Sequence, residues 1–221
     1  MKLFKLKKDL SNLEEVAKQV SKLLKAGAVG VIPTETIYGI AADPFNKESV
    51  EKIFKIKKRE RSKPILLLIP DEFWLKKLAK VSHSYVYKLI SAFWAGPLTM
   101  VFQASEDLPD YIKGDKGTIG LRMSSSIFVK TLLKHFKSPI TGTSANPSGS
   151  QPAKNPEEIK KHLSDLDFIV DAGEVKDTTP STVIEVLEAP PKLLREGVIP
   201  FKEVLKVYSS SPSSSLNSIS K

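Results

Sequence analysis

The spacing of apolar residues along the chain changes repeatedly between a helical period and short apolar runs. Apolar positions recur at helical spacing over residues 13–26, 47–58, 72–81, 84–93, 128–136, 156–163 and 201–208, and Gly27 is placed to cap the first helix. Apolar runs bounded by polar or turn residues predict strands over 29–32, 65–69, 98–102, 168–170 and 183–186, and a further strand that ends near Arg122. Because strands and helices alternate without internal repeats, we expect an α/β fold. It should have a twisted, mostly continuous sheet, flanked by helices, with one cleft at the strand ends.

The stretch 29–69 combines a strand, a polar turn, a helix, a basic loop and a second strand. Its first strand ends at Pro33, and Thr34 and Thr36 follow with two hydroxyls. Hydroxyl groups clustered at the end of a strand are suited to binding a ligand. The basic loop is a dense run of like charge made of Lys57, Lys58, Arg59, Arg61 and Lys63. Like charges repel one another, so this run indicates an anionic partner, and a phosphate-bearing molecule fits best.

Two other segments are rich in small polar side chains. Residues 141–150 read TGTSANPSGS and contain Ser144 and Asn146, whereas residues 177–182 read DTTPST and contain Ser181. Small side chains let a ligand approach the backbone, and hydroxyls and amides supply hydrogen bonds. The first segment could be an exposed linker. A ligand-facing loop is at least as well supported, because a short apolar strand at Pro139–Ile140 leads into it and the predicted helix 156–163 follows it.

Composition narrows the class of protein. Of the 221 residues 41% are hydrophobic, which is enough for a sizeable core, and the net charge of +9 indicates anionic partners such as nucleotides or tRNA. Cysteine is absent, which excludes disulfides, thiolate metal sites and a cysteine nucleophile. The first residues lack the apolar region of a signal peptide, and no apolar run reaches the roughly 18 residues of a membrane span. We therefore expect a cytoplasmic protein without a membrane partner, with one domain over 1–208 and a disordered Ser-rich tail over 209–221.

Several common site types find no support in the sequence. His83, His135 and His162 are scattered along the chain without the spacing of metal ligands, so the sequence defines no metal site. Ser144 lies in no GxSxG turn, and no segment matches the GxxxxGK[ST] phosphate loop. A nucleotide would therefore be held by separate basic side chains together with the small-residue loops. The candidates are Lys57, Arg59, Lys63, Arg122 and Arg195.

Seven phrases of the sequence occur in the order that is typical of one protein family. They are PTETIYGIAAD at 33–43, KIKKR at 55–59 before KPILLLI at 63–69, WAGPLT at 94–99, TIGLRM at 118–123, TSANPSG at 143–149, PSTVIEV at 180–186 and LLREG at 193–197. By these phrases the chain resembles the YrdC family of threonylcarbamoyl-AMP synthases over nearly all of residues 13–208. The resemblance implies a YrdC-like twisted α/β sheet around a positively charged cavity.

The resemblance also implies a nucleotidyltransferase that converts L-threonine, bicarbonate and ATP, with Mg²⁺, into threonylcarbamoyl-AMP and pyrophosphate. The product would serve the N6-threonylcarbamoyladenosine modification of tRNA, so tRNA and tRNA-modifying proteins are implied partners. By similarity, threonine would be bound by Thr34, Thr36, Arg122, Gly142 and Ser181. By the same similarity, Lys57 and Arg59 would be catalytic, and ATP would be bound by Arg59, Lys63, Thr118, Ser144, Asn146, Pro152 and Arg195.

The chain departs from the pattern of the longer family members at two places. Those members commonly carry a histidine in the strand after the basic loop, where this chain has Leu66, Leu67 and Leu68, and an asparagine where Lys63 stands. The chain therefore resembles the short, single-domain type. The absence of this histidine leaves open how threonine is held.

Two alternative functions compete with this reading. A non-catalytic module that binds double-stranded RNA or tRNA would use the same basic concavity, but it gives no role to hydroxyls at three separate strand ends. A carbamoyl-adenylate domain, as in hydrogenase-maturation carbamoyltransferases, is the second alternative. Those proteins add zinc-finger and acylphosphatase-like segments, for which a cysteine-free chain of this length has no room.

Overall fold

The computed structural model describes residues 1–58, 60 and 64–210 of the 221-residue chain. The predictions for Arg59 and Lys63, and the predicted disordered tail from residue 211 onward, lie outside these described residues. Within the described part, none of the helices has both the length and the apolar composition needed to cross a bilayer.

Seven α-helices lie within the described residues, and each corresponds to a helical pattern in the sequence. The first ends as predicted, because Gly27 adopts a left-handed conformation (φ 84°) and the Ala28 N–H reaches the Leu23 carbonyl at 3.0 Å. The third ends earlier than predicted, because Ala79 and Lys80 pair with a neighbouring strand. The helices are α1 Leu13–Lys25, α2 Lys47–Lys57, α3 Glu72–Leu78, α4 Tyr85–Phe93, α5 Ile127–Phe136, α6 Pro156–His162 and α7 Phe201–Ser209.

Twelve strands lie within the described residues: β1 Lys2–Lys5, β2 Gly30–Ile32, β3 Gly39–Ala41, β4 Leu66–Leu68, β5 Ala79–Lys80, β6 Leu98–Ala104, β7 Thr118–Arg122, β8 Ile140–Thr141, β9 Thr143–Ser144, β10 Phe168–Asp171, β11 Thr182–Glu185 and β12 Lys192–Arg195. The apolar pattern does not predict β1, β3, β5, β9 or β12. Each is only two to four residues long and so shows too little of a period.

The strands form two mixed sheets. The first has the order β1-β10-β2-β3-β9, and the second has the order β12-β11-β6-β7-β4-β8, with β5 paired to β6. The predicted α/β class is confirmed, but the prediction of one mostly continuous sheet is wrong. The physical reason is that β8 and β9 are separated by Gly142 alone, and the chain passes from the second sheet to the first at this residue.

Hydrogen bonds join the two sheets at this crossing. The Thr141 N–H donates to the Ala42 carbonyl at 3.0 Å, and the Thr141 hydroxyl donates to the Ile40 carbonyl and accepts from the Ala42 N–H, both at 2.9 Å. The Gly142 N–H donates to the Leu66 carbonyl of the second sheet at 2.9 Å. We call residues 140–144 the seam, because they hold the edges of both sheets together.

The first sheet is buried on both faces. Along β10, Phe168 and Val170 pack with α1 and α5, whereas Ile169 between them packs with α2 and α6 on the opposite face. One face of the second sheet is covered by α3, α4 and α7 and by Val50 and Phe54 of α2. On its other face, Leu66, Leu68 and Ile140 pack with α1 and α5. Along β7, Ile119 and Leu121 point into the core under α3, α4 and α7, so Gly120 and Arg122 point to the other face. The part of this face that the helices leave uncovered is where the candidate site lies.

Tyr38 joins the turn after β2 to the segment that follows β10. Its hydroxyl donates to the Gly173 carbonyl at 2.7 Å and accepts from the Ala172 N–H at 3.0 Å, and burial raises the pKa of Tyr38 to about 12.

This shift in pKa predicts a loss of stability at high pH. The unfolded chain releases the tyrosine proton from about pH 10, whereas the folded protein keeps it until about pH 12. We therefore expect the free energy of unfolding to fall as the pH rises from 10 to 12, and to fall less steeply in Tyr38→Phe. Urea titrations across this range measure the effect, with Tyr87→Phe as the control because Tyr87 is an exposed tyrosine of α4. An identical pH dependence in wild type and Tyr38→Phe contradicts the assignment.

Candidate active site

A cavity of about 1010 Å³ lies between the uncovered part of this face of the second sheet and the edge of the first. Gly39 and Ser144 line it from the first sheet, and Leu66, Val101 and Gly120 line it from the second. The size is at the upper end of the range of small-molecule sites, so it suits a ligand larger than a single amino acid.

The cavity brings together ten of the residues singled out from the sequence: Thr34, Thr36, Lys57, Arg122, Gly142, Ser144, Asn146, Pro152, Ser181 and Arg195. Thr118 is buried on the same face of β7 as Arg122 but is not among the lining residues. Arg59 and Lys63 lie outside the described residues. Their chain neighbours Lys58, Glu60 and Pro64 line the cavity.

The turn between β2 and β3 is shaped by the side chain of Thr34. Its hydroxyl donates to the Ile37 carbonyl at 2.6 Å and accepts from the N–H groups of Thr36 at 3.2 Å and Ile37 at 3.3 Å. The hydroxyl of Thr36 lies 3.1 Å from that of Thr34. Thr34 therefore fixes the turn, and this places the Thr36 hydroxyl at the cavity lining.

Arg122, at the end of β7, is a buried cation with an unusual environment. Its side chain is 3% exposed, its Nε lies 3.7 Å from Oε1 of Glu35, and this distance is too long for a hydrogen bond. Both of these atoms are buried and lack a hydrogen-bond partner among the described residues. Burial lowers the pKa of Arg122, and the Glu35 carboxylate opposes this effect. The other oxygen of Glu35 accepts a hydrogen bond from the hydroxyl of Ser124.

Lys57, at the end of α2, holds the TSANPSG loop in place. Its side chain is 1% exposed, and its ammonium group donates to the carbonyl oxygens of Ser144 and Asn146, the second at 2.6 Å. Its own carbonyl accepts from the Ser148 N–H at 3.0 Å. The end of the helix and the loop are therefore bound to each other in both directions.

We expect Lys57→Met to lower the free energy of unfolding by about 1–3 kcal/mol, because methionine keeps the apolar stem but leaves two buried carbonyl oxygens without their donor. Lys52→Met on the same helix is the control. Lys52 pairs with Asp167 at 2.7 Å in a half-exposed position, and such pairs typically contribute about 0–1 kcal/mol. Urea unfolding of the two variants makes the comparison. An equal loss in both variants contradicts a special role for Lys57.

The side chain of Asn146 folds the rest of the loop. Its amide nitrogen donates to the carbonyl oxygens of Pro147 at 3.1 Å and Ser150 at 2.5 Å. Its amide oxygen is buried and has no hydrogen-bond partner among the described residues. This oxygen is an acceptor that a ligand in the cavity could use.

Ser181 lies between two other lining residues and contacts both. Its hydroxyl is 2.9 Å from that of Thr99, and Nη2 of Arg195 donates to its carbonyl oxygen at 2.8 Å and to its hydroxyl at 3.3 Å. Gly197 and Val198 close the same corner, with N–H groups that reach Thr182 Oγ1 at 2.9 Å and the Pro180 carbonyl at 3.0 Å. The corner is thus a compact unit that presents one hydroxyl and one guanidinium.

Sequence reasoning missed Thr99 and Ser124 and the contacts of Glu35. The carboxylate of Glu35, between two predicted site threonines, is a candidate Mg²⁺ ligand by sequence, and the structure places it against Ser124 and Arg122. Thr99 lies in WAGPLT and Ser124 in a serine run, where no residue pattern distinguishes them from surface hydroxyls. Their contacts depend on pairing between distant strands.

The charged side chains that line the cavity are mostly basic within the described residues. They are Lys57, Lys58, Arg122 and Arg195, against the single carboxylate of Glu60. No group of three His, Cys, Asp or Glu side chains within the described part could hold a metal ion by itself. The arrangement can bind an anion and orient it through hydroxyls and guanidinium groups.

Comparisons with known proteins all point to one family. Residues 22–197 match the Sua5–YciO–YrdC family, whose description reads "Telomere recombination". The chain is 34% identical over 83% of its length to the threonylcarbamoyl-AMP synthase of Pyrococcus abyssi and 31% identical over 85% to that of Vibrio vulnificus. It covers 54% of the first relative and 100% of the second.

Among solved structures, the crystal structure of P. abyssi Sua5 complexed with L-threonine aligns with 94% of the chain at 30% identity and a TM-score of 0.87. The chain spans 61% of that protein. The family match covers most of the chain. The relatives found by sequence and the similar solved structure belong with the same family. The chain therefore belongs to the Sua5–YciO–YrdC family.

Proposed function

We propose that the protein is a threonylcarbamoyl-AMP synthase, which forms threonylcarbamoyl-AMP and pyrophosphate from L-threonine, bicarbonate and ATP. The observation that carries this proposal is the convergence of three polar corners on one cavity. They are the Thr34–Thr36 turn, the TSANPSG loop and the Ser181–Arg195 corner. The names of the two relatives and the threonine-bound neighbour support the same reaction.

The proposed threonine site is the part of the cavity around Arg122. A guanidinium group is suited to a carboxylate because it offers two parallel N–H donors. We place the threonine carboxylate against Arg122, with the hydroxyls of Thr36 and Ser181 and the backbone near Gly142 as further donors or acceptors. Thr34 acts by fixing the turn.

The proposed ATP site is the part of the cavity around the TSANPSG loop. Ser144, Asn146 and Pro152 would contact ATP, together with Arg195 from the second sheet. Arg59, Lys63 and Thr118 are proposed ATP ligands on the strength of the sequence, and Thr118 is buried on the face of β7 that also carries Arg122. We propose that Lys57 serves catalysis by holding the loop.

Mg²⁺ would enter with ATP as part of the substrate. Magnesium in such sites usually takes substrate phosphates together with one or two carboxylates. The carboxylate of Glu60 at the cavity lining fits this requirement. The ion would neutralise the part of the phosphate charge that the basic side chains do not neutralise.

The reaction joins two anions, which defines what the protein must supply. The threonine amine and bicarbonate form a carbamate and water, a carbamate oxygen attacks the α-phosphorus, and pyrophosphate leaves. Fixed cationic groups lower the repulsion between carbamate and phosphate, and a shared cavity holds them in line. No covalent intermediate with the protein is required.

A pyrophosphate-release assay tests the proposal. We expect release from ATP that depends on both L-threonine and bicarbonate, and a threonylcarbamoyl-AMP product visible by mass spectrometry. Heat protection by ATP and L-threonine is expected as well. Protection by tRNA alone, without pyrophosphate release, supports the RNA-binding alternative. In cells, tRNA and its modifying proteins would consume the product.

A further inference from the structure

Glu35 lies directly behind the proposed threonine site without being part of its lining. Its neighbours Thr34 and Thr36 line the cavity, as does Arg122, whereas Glu35 does not. Its side chain is 13% exposed, and its Oε1 is buried. Glu35 can therefore influence a ligand in the cavity through the residues that it touches.

The contacts of Glu35 orient its carboxylate toward Arg122. Oε2 accepts the hydroxyl hydrogen bond of Ser124, which fixes the orientation of the group. Oε1 then faces Nε of Arg122 at 3.7 Å. Within the described part of the chain, Nε of Arg122 has no hydrogen-bond partner, and this carboxylate is the charged group that faces it.

The chemistry of a guanidinium group explains why such a partner matters. Arginine binds a carboxylate well only when the edge that carries its donors points at that carboxylate. A carboxylate at Nε attracts one side of the planar group and leaves the terminal NH₂ groups for a ligand. A buried cation without this counter-charge is unfavourable and tends to move toward water.

We propose that Glu35, oriented by Ser124, is a positioning residue that aims the Arg122 guanidinium at the carboxylate of the amino-acid substrate. This inference rests on the proposed function. It adds a specific element to that function, because recognition of the amino acid then depends on a carboxylate that does not touch the substrate.

The test is the effect of Glu35→Gln on the kinetics for each substrate separately. We expect the KM for L-threonine to rise about tenfold or more, as for a lost charged interaction, and the KM for ATP to stay within about twofold. Glu14→Gln is the matched control, because it removes a carboxylate from an exposed ion pair with Lys134 and His135. An unchanged or lower KM for L-threonine, or an equal rise for both substrates, overturns the inference.

A double-mutant cycle distinguishes positioning from a general structural effect. In an Arg122→Lys background, Glu35→Gln should change the KM for L-threonine by less than about twofold, because the group it positions is already gone. If the two changes multiply, Glu35 does not act through Arg122, and the inference is wrong.

Ser124→Ala covers the case in which Glu35→Gln does not fold. It keeps the charge pair but removes the hydroxyl that orients Glu35, and we expect a rise of about threefold to fivefold in the KM for L-threonine alone, a smaller effect than that of removing the charge. No rise refutes the inference. Calorimetric titration of L-threonine gives the same comparison without turnover. If the wild type neither binds nor turns over L-threonine, the proposed function fails; if it does and the variants match it, only the inference fails.

Discussion

Arg122→Ala is expected to lower the threonine-dependent rate of pyrophosphate release by about 10²–10³-fold, the usual loss for one well-placed donor in a buried site. Arg122 is the cation that we place against the substrate carboxylate, and its side chain is almost fully enclosed. The loss should appear in kcat/KM for L-threonine, and heat protection by L-threonine should disappear while protection by ATP persists.

The variant also leaves the Glu35 carboxylate without its counter-charge, which by itself destabilises the fold. Arg122→Ala combined with Glu35→Gln removes that unpaired charge. We expect the double variant to regain thermal stability and to stay inactive, which separates catalysis from folding. Lys134→Ala, at an exposed pair with Glu14, controls for removal of a positive charge. Saturable L-threonine turnover by Arg122→Ala with a near-normal KM contradicts the assignment.

Gly197→Ala is expected to disrupt the corner that carries Ser181 and Arg195. A Cβ at this position would lie 2.1 Å from the Pro180 carbonyl oxygen and 2.6 Å from the Ser181 carbonyl carbon, and both are backbone atoms that cannot turn away. The strands must therefore separate, which breaks the contact between Arg195 and Ser181. We expect a fall of about 1–3 kcal/mol in the free energy of unfolding and a loss of activity of at least about 10²-fold.

Gly120→Ala is the matched comparison for stability. There the nearest heavy atoms to a new Cβ lie at 3.7 to 4.0 Å, which is ordinary contact, so we expect little change in Tm. Thermal unfolding of both variants and the pyrophosphate assay on Gly197→Ala give the measurements. A Gly197→Ala protein with wild-type Tm and activity would show that the corner tolerates displacement.

The sequence predicts the helices and longer strands well because these depend on local periodicity. Val50, Ile53 and Phe54 fall on one face of α2 and are buried there, as their spacing requires. The division into two sheets was not predictable in this way. It depends on strands of two or three residues and on a hydrogen bond between Thr141 and Ala42, which are far apart in the chain.

For the candidate site, the residue types in the sequence predicted which side chains line the cavity better than they predicted which groups those side chains contact. Ser144, Ser181 and Arg195 reach one cavity, as hydroxyl-rich strand ends and separate basic residues suggest. Lys57 was expected among the phosphate-binding charges. Its ammonium instead donates to two backbone carbonyls, a use that no sequence pattern reveals.

The seam gives the molecule a property that neither sheet has alone. Since the walls of the cavity come from both sheets and hydrogen bonds at residues 140–144 tie the sheet edges together, neither sheet can move away from the other without dismantling the pocket. Substrate binding should thus stabilise the part of the protein that opens only on global unfolding, and not a lid that opens locally. Any alteration that loosens residues 140–144 would cost affinity for both reactants at once.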